Sequence, residues 1–190
     1  MVTQKRIAMP KLFILMELLI GCGNRREKLL KFQPDDDWTD LVTLDHDPYC
    51  GADIIHDLES FEEWPFEDNK FDEVHAYCVL EHIGQQVDYK KFFHDFNEIY
   101  RVLKPGGILA AHCPSWKSQW AWADPSHTRV IAPGSLVFLN REQYERQVGK
   151  TAMTDFRWLW KGDFEPIHVD DDGERFTFGL KAHKPPRFKE

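Results

Sequence analysis

The chain has 190 residues, of which 42% are hydrophobic and 14% aromatic, so it can bury the core of one domain and is not disordered as a whole. Its formal net charge is −8, and no cluster of lysine or arginine offsets this charge. Because polyanion binding normally needs a basic face, the charge balance disfavours a nucleic-acid substrate.

The first predicted element is a strand over Phe13 to Ile20, preceded by a polar tail over residues 1–11. Basic residues before this apolar run and Cys22 after it imitate a bacterial lipoprotein signal. Glu17 interrupts the run and no small-residue linker follows it, so a buried strand is favoured over a signal peptide. The run is also too short to cross a bilayer, and no membrane association is expected.

The strand leads into the turn Gly21-Cys22-Gly23, and Arg26 to Phe32 is predicted to be helical. Such a turn at a helix N-terminus presents backbone N–H groups and a positive helix end to a ligand. A dinucleotide-binding turn has a third glycine, G-x-G-x-x-G, where this chain has Arg26. This departure counts against NAD or FAD but not against a nucleoside without phosphates.

Arg25 lies at the end of the predicted helix where the dipole disfavours a cation. The position suggests that Arg25 meets a ligand carboxylate. A solvated arginine is the alternative interpretation.

Two further strands are predicted over Leu41 to Leu44, ending at Asp45, and over Ala52 to Ile55, ending near Asp57. Only residues 46–51 separate them, which is too few for a full crossover helix. The connection between these strands is therefore abbreviated.

The middle of the chain predicts a fourth strand over Phe71 to Tyr77 and a fifth over Ile108 to Cys113. Between them, aromatic and aliphatic residues recur at helical spacing, which predicts a helix over Tyr89 to Leu103. The sequence Lys104-Pro105-Gly106-Gly107 is expected to stop this helix.

A second helix is predicted over Arg141 to Val148, with Asn140 as its cap. Two β segments follow, Phe156 to Val169, broken near Gly162, and Arg175 to Ala182, joined as a hairpin. Alternating strands and helices with a terminal hairpin indicate an α/β sheet, mostly parallel with an antiparallel edge. The whole chain, 1–190, is predicted to be one domain, with residues 114–150 as a cover on the substrate side and 183–190 as a tail.

The predicted strand ends carry groups that suit a nucleoside. In open α/β sheets, ligands bind outside the carboxyl ends of the strands. Asp45, 24 residues after Gly21, could accept two ribose hydroxyls, and Asp57 with the backbone N–H of Leu58 could contact an adenine edge. The alternative for each acid is an ordinary turn or helix cap.

These segments together resemble a known family, the class I S-adenosylmethionine-dependent methyltransferases, and within it the type 11-like branch. The resemblance covers roughly residues 12 to 115. It is carried by Leu19-Ile20-Gly21-Cys22-Gly23-Asn24, Leu44-Asp45, His56-Asp57-Leu58, Val79-Leu80-Glu81-His82 and Arg101-Val102-Leu103-Lys104-Pro105-Gly106-Gly107. The family implies a Rossmann-like doubly wound sheet of seven strands, with the last strand inserted antiparallel.

The resemblance implies S-adenosyl-L-methionine as cofactor and a role for each matched position. Gly21 and Gly23 would face the methionine part, Asp45 the ribose, and Asp57 with Leu58 the adenine, while Tyr77 would lie along the pocket. The predicted cofactor-binding residues beyond these are Cys22, Arg25 and His46. Leu19 stands where many members carry an acid, and Arg25 where many carry a third glycine.

Substrate-side residues are expected between Pro114 and Pro133. Three tryptophans cluster there, Trp116, Trp120 and Trp122, which either wall a small-molecule site or pack the loop onto the sheet. His127 and His82 are the candidate general bases, because histidine titrates near neutral pH. A structural role is the alternative for each.

No metal site is predicted. The four cysteines lie far apart in the sequence with no C-x-x-C pair, which fits reduced thiols in a cytoplasmic protein. The run Asp170-Asp171-Asp172 lacks calcium-loop spacing and indicates a turn.

The sequence therefore predicts methyl transfer to O or N of a small molecule or another non-nucleic-acid acceptor. One alternative is a methyltransferase-like binding module without turnover, suggested by Leu19. The other is a NAD-linked oxidoreductase, which the missing third glycine disfavours.

Overall fold

The structure, a computed structural model, describes residues 14–32 and 37–188. Seven strands in these ranges form one sheet in the order β3-β2-β1-β4-β5-β7-β6. The strands are β1 Met16–Ile20, β2 Asp40–Asp45, β3 Ile54–Ile55, β4 Phe71–Tyr77, β5 Leu103–Pro114, β6 Phe164–Asp171 and β7 Arg175–Ala182. Strands β1 to β5 pair in parallel, and β7 runs antiparallel between β5 and β6. The predicted fold class is confirmed.

Four helices lie in the described ranges: α1 Tyr89–Val102, α2 Trp120–Ala123, α3 Pro133–Val137 and α4 Arg141–Gln147. The Asp88 side chain caps α1 by accepting from Lys91 N at 3.0 Å. The Asn140 side chain caps α4 by accepting from Glu142 N at 2.9 Å. Each cap satisfies a backbone donor that the first helical turn leaves unpaired. The helices predicted over Tyr89 to Leu103 and Arg141 to Val148 therefore exist, with ends within one residue of those expected.

The main core lies between one face of the sheet and α1. Phe96 and Ile99 of α1 are buried in one apolar cluster with Leu18 of β1 and Val74 of β4. Alternate residues of a strand point to opposite faces, so the residues next to Leu18 and Val74 face the other side.

The opposite face is covered in a way that the sequence did not predict. The prediction of a helix over Arg26 to Phe32 is wrong, because these residues form no regular secondary structure. Instead, the Lys28 side chain is buried beneath these residues, with its Nζ 2.5 Å from Glu17 Oε1 and 3.3 Å from Glu73 Oε2. Leu30 N donates to Tyr77 Oη at 3.2 Å, so the backbone bonds to the sheet rather than to itself.

Two other predicted segments differ from the structure. Strand β5 begins at Leu103 rather than at Ile108, because Leu103 already pairs with Phe71. The first half of the predicted strand Phe156 to Val169 is a turn, in which Trp160 N donates to Phe156 O at 2.7 Å. The predicted tail over 1–11, Phe13 and residues 33–36 lie outside the described residues.

The C-terminal part of the chain is bonded to the sheet as far as Arg187. His183 N donates to Asp163 O at 2.9 Å, and Arg187 Nε donates to Asp163 Oδ2 at 2.9 Å. Within the described ranges, no helix is both long and apolar enough to cross a membrane.

Candidate functional site

Two neighbouring cavities open at the carboxyl ends of the central strands. The first, about 500 Å³, is lined by five of the predicted residues: Gly21, Cys22, Gly23, Arg25 and Tyr77. The second, about 540 Å³, is lined by six: Gly21, Asp45, His46, Asp57, Leu58 and His82. Both cavities are lined by Gly21 and Cys78, so they adjoin, and the two together are called the groove below. The structure thus brings the sequence-predicted residues together, and His127 lies just beyond the second cavity.

Gly21 allows the turn after β1 to approach the loop after β4. Its φ is +57°, and a Cβ at this position would lie 2.2 Å from Val79 Cγ2, so a larger residue would collide with Val79. Gly23 also has a positive φ, +48°, but faces open space. No helix follows, so the predicted helix dipole is not part of the site.

Asp45 connects the glycine turn to the end of β2. Its Oδ2 accepts from Gly23 N at 2.8 Å, and its Oδ1 accepts from Asp47 N at 2.9 Å. His46 Nδ1 lies 3.5 Å from the same Oδ1. A carboxylate has about four lone-pair sites, so two remain for a ligand in the second cavity. Asp45 therefore both shapes the turn and offers acceptors.

Asp57 and Leu58 follow β3 on the far side of the second cavity. Asp57 Oδ1 accepts from Glu59 N at 2.9 Å, and the residue is exposed. Leu58 is buried and supplies an apolar surface. His56 N donates to Asp45 O at 2.9 Å, which fixes the end of β3 beside the end of β2.

One side of the first cavity, formed by Tyr77, Cys78 and His112, is uncharged at neutral pH, whereas Arg25 and Glu27 line another part of it. Tyr77 stacks on His112, with ring centroids 5.1 Å apart and planes 14° apart. Burial raises the pKa of Tyr77 to about 12. Burial, assisted by the charge of Arg175, lowers the pKa of His112 to about 4. The pKa of the Cys78 thiol is raised to about 11 by burial, so this thiol is protonated at neutral pH.

Cys78 and His112 line the groove but were not predicted. Cys78 has φ +51°, a conformation that a residue with a Cβ rarely adopts. His112 pairs with Tyr77 across β4 and β5. Extending the strand-end argument from four strands to the fifth would have found His112, because it lies at the same sheet edge.

His82 and His127 meet at the outer edge of the second cavity, with ring centroids 4.7 Å apart in a T-shaped arrangement. His82 Nδ1 lies 3.1 Å from Ser126 O, and His127 Nδ1 lies 2.8 Å from Trp120 O. Since a carbonyl oxygen only accepts, each Nδ1 carries the proton and each Nε2 keeps a lone pair.

The three tryptophans of the predicted cover lie at the surface. Trp116, Trp120 and Trp122 are 45%, 58% and 68% exposed, so they are not packed onto the sheet. Trp122 Nε1 donates to Trp116 O at 3.0 Å, which holds two of the three together.

Comparisons with known proteins agree with this geometry. The model of the methyltransferase domain family matches residues 39–111, from the second strand to the fifth. No curated protein sequence matches the chain.

Solved structures share the fold at low sequence identity. An S-adenosylmethionine-dependent methyltransferase from Archaeoglobus fulgidus is 13% identical with a TM-score of 0.53, over 89% of this chain and 86% of that chain. The N-methyltransferase NodS from Bradyrhizobium japonicum WM9, solved with S-adenosyl-L-homocysteine, is 14% identical with a TM-score of 0.54, over 88% and 78%. The [4+2]-cyclase SpnF is 17% identical with a TM-score of 0.51, over 90% and 75%.

The fold is that of the class I S-adenosylmethionine-dependent methyltransferases. Within that fold, the central segment of this chain matches the methyltransferase domain. The resemblance inferred from the sequence is confirmed.

Proposed function

We propose that the protein binds S-adenosyl-L-methionine in the groove and transfers its methyl group to O or N of a small, non-nucleic-acid acceptor. The observation that carries the proposal is the convergence of Gly21, Asp45 and Asp57 on two adjoining cavities at three successive strand ends. Ligands of open α/β sheets bind at this edge.

The residues present fit this cofactor. Acidic side chains, Asp45 and Asp57, line the second cavity and suit a ribose and an adenine amine, while Leu58 supplies an apolar surface. Arg25 is the one basic residue that lines the first cavity, which suits a single carboxylate better than a pyrophosphate. We assign the nucleoside to the second cavity and the methionine part to the first.

The bound cofactor supplies a sulfonium methyl group, which is already a strong electrophile. The chain itself needs to hold the acceptor in line, exclude water and, where the acceptor is acidic, take up a proton. Tyr77 and His112 give the cavity an uncharged wall. With Nδ1 bonded to a carbonyl oxygen, the neutral His127 and His82 each keep a lone pair on Nε2 that can accept the acceptor's proton, which supports their predicted role as general bases.

Two alternatives remain open to test. The fold does not fix the reaction, since the structurally similar SpnF is a [4+2]-cyclase. A binding module without turnover therefore competes with a methyltransferase, and a NAD-linked enzyme competes less well because the turn has no third glycine.

Isothermal titration of the full chain with S-adenosylhomocysteine and with NAD separates these functions. We expect S-adenosylhomocysteine to bind and NAD not to bind. Failure of both ligands to bind at millimolar concentration would contradict both enzymatic functions. Transfer of label from methyl-labelled cofactor to a component of a metabolite extract then distinguishes a methyltransferase from a binding module.

A further inference from the structure

Glu81 is a buried carboxylate with no hydrogen-bond partner for either oxygen. It follows β4 in the 3₁₀ turn Leu80–His82 and is only 2% exposed. Burying a polar group without a partner is costly, so such a group calls for an explanation. Burial raises the pKa of this carboxyl to about 7, against smaller opposing effects of its own backbone N–H, of His127 and of the Cys78 thiol, whose contacts with the carboxyl fall short of hydrogen-bond geometry.

The two neighbouring histidines point to that explanation. One ligand atom each from Glu81, His82 and His127 can be chosen so that all three lie within 4.8 Å of one another. Both imidazoles donate their Nδ1 proton to a backbone carbonyl, which leaves each Nε2 able to bind a ligand. Metal-binding histidines almost always have their other nitrogen fixed in this way.

Asp124 supplies a further oxygen at the edge of the cluster. Its Oδ1 accepts from Ser126 N at 2.9 Å, while its Oδ2 lies 3.8 Å from His127 Nε2. The cluster therefore offers two imidazole nitrogens and two carboxylates from two different loops.

We propose that Glu81, His82 and His127 bind a divalent transition-metal ion such as Zn²⁺, Mn²⁺ or Fe²⁺, with Asp124 as an additional oxygen ligand. Two imidazoles with carboxylate oxygens suit these ions. The charge of the ion would also compensate the buried Glu81 carboxylate, which no lysine or arginine contacts in the described part of the chain. This site departs from the sequence-based expectation that the chain binds no metal.

In two other groups of potential ligands in the described residues, each carboxylate has at least one partner within the protein. Glu17 and Glu73 both pair with Lys28, which supplies the positive charge within the protein. Asp45, which lies between Cys22 and Cys50, accepts from two backbone N–H groups, and burial raises the pKa of the Cys22 thiol to about 11. The Glu81 cluster is the one whose carboxylate has no partner.

The metal site would lie beside the second cavity, which His82 lines. Resting on the proposed function, this position would allow the ion to bind an acceptor hydroxyl and favour loss of its proton to solvent. His82 and His127 would then act as ligands rather than as general bases.

The test is a Co²⁺ titration of the metal-stripped full chain, followed by the visible absorption of the bound ion. We expect one ion per chain at micromolar concentration. Glu81→Gln and His127→Gln should each weaken binding at least about tenfold, with thermal unfolding recorded to show that both variants fold. Cys50→Ser is the matched control and should bind Co²⁺ as the wild type does.

Several results would overturn the proposal. They are no Co²⁺ binding by the wild type, unchanged binding by both cluster variants, or loss of binding in Cys50→Ser instead.

A parallel titration with S-adenosylhomocysteine in EDTA separates this proposal from the proposed function. Cofactor binding without metal, together with loss of Co²⁺ binding in the variants, supports both proposals. Co²⁺ binding without cofactor binding refutes the methyltransferase and leaves the metal site standing.

Discussion

Two buried clusters in this protein contain the same kinds of side chain but differ in how their charge is neutralised. Under the irregular segment 25–32, Glu17, Glu73 and His75 are buried, and Lys28 reaches both carboxylates. At the carboxyl end of β4, Glu81 lies with His82 and His127, and neither of its oxygens has a hydrogen bond.

The difference separates a structural cluster from a candidate functional one. A buried carboxylate that is paired and hydrogen-bonded is stable in its charged form. The pKa of Glu73 is accordingly lowered: burial raises it, but His75 and Lys28 together outweigh burial. The pKa of Glu81 rises because burial is opposed only weakly. An unpaired buried carboxylate beside a cavity is a candidate for a ligand-binding or catalytic site.

The largest effect is expected from Lys28→Met, which removes the internal cation. Because Glu17 and Glu73 would stay buried without it, we expect the free energy of unfolding to fall by about 3 to 5 kcal/mol. Urea denaturation measures this change, with Lys90→Met on the exposed side of α1 as the control. A loss no larger than that of the control would show that Lys28 does not neutralise the cluster. Adding Glu17→Gln and Glu73→Gln to the lysine variant should recover part of the loss.

Glu81→Gln tests the cluster of Glu81, His82 and His127. Whereas Lys28→Met should destabilise the folded protein, Glu81→Gln should make it lose less stability than the wild type as the pH rises. The pKa of Glu81 lies near 7 in the folded protein against 4.5 as its ordinary value. Between these values the folded chain holds a proton that the unfolded chain has released, so stability falls as pH rises through this window.

In EDTA, the wild type should therefore lose roughly 2 to 3 kcal/mol more stability between pH 5 and pH 8 than Glu81→Gln. Denaturation of both proteins at the two pH values gives the difference, in which the other titrating groups cancel. Identical pH dependence in the two proteins would contradict an unpaired Glu81. Zn²⁺ at pH 8 should stabilise the wild type and not the variant, because only the wild type keeps the carboxylate proposed to bind the metal.

Asp45 stands between the two extremes, because its oxygens are partly satisfied by backbone N–H groups. We expect Asp45→Ala to weaken S-adenosylhomocysteine binding at least tenfold, or about 1.4 kcal/mol, through loss of the ribose contact and of the turn. Calorimetric titration measures the Kd. Asp53→Ala is the control, since Asp53 also bonds to backbone, at Thr43 N, but lines neither cavity. Equal Kd values for the two variants would show that Asp45 does not contribute to ligand binding.

The parts of the molecule that could be predicted from sequence are those whose structure follows from local residue patterns rather than from contacts between distant residues. The strands and α1 were predictable because their apolar residues recur at the period of each element, as in the match of Phe71–Tyr77. The glycine turn and Asp45 were predictable because they end strands. The segment around Lys28 was not, since its conformation follows from carboxylates on two distant strands, Glu17 and Glu73. Glu81 was missed as a site residue for the same reason: sequence does not reveal that a carboxylate lacks partners.

The smallest effect is expected from Arg25→Ala, because Arg25 is neither buried nor strongly paired. This variant tests whether Arg25 contacts a carboxylate of the ligand. Arg25 is exposed and lines the first cavity. An exposed ion pair contributes roughly 0.2 to 1 kcal/mol, so S-adenosylhomocysteine should bind about two- to fivefold more weakly. Methylthioadenosine lacks the carboxylate and should bind the variant and the wild type equally, and added salt should reduce the difference seen with S-adenosylhomocysteine. Equal weakening of both ligands would mean that Arg25 shapes the turn rather than meeting a carboxylate. In that case Arg25, the one basic residue that lines the first cavity, would have a structural role, as Lys28 has beneath the segment that follows the turn.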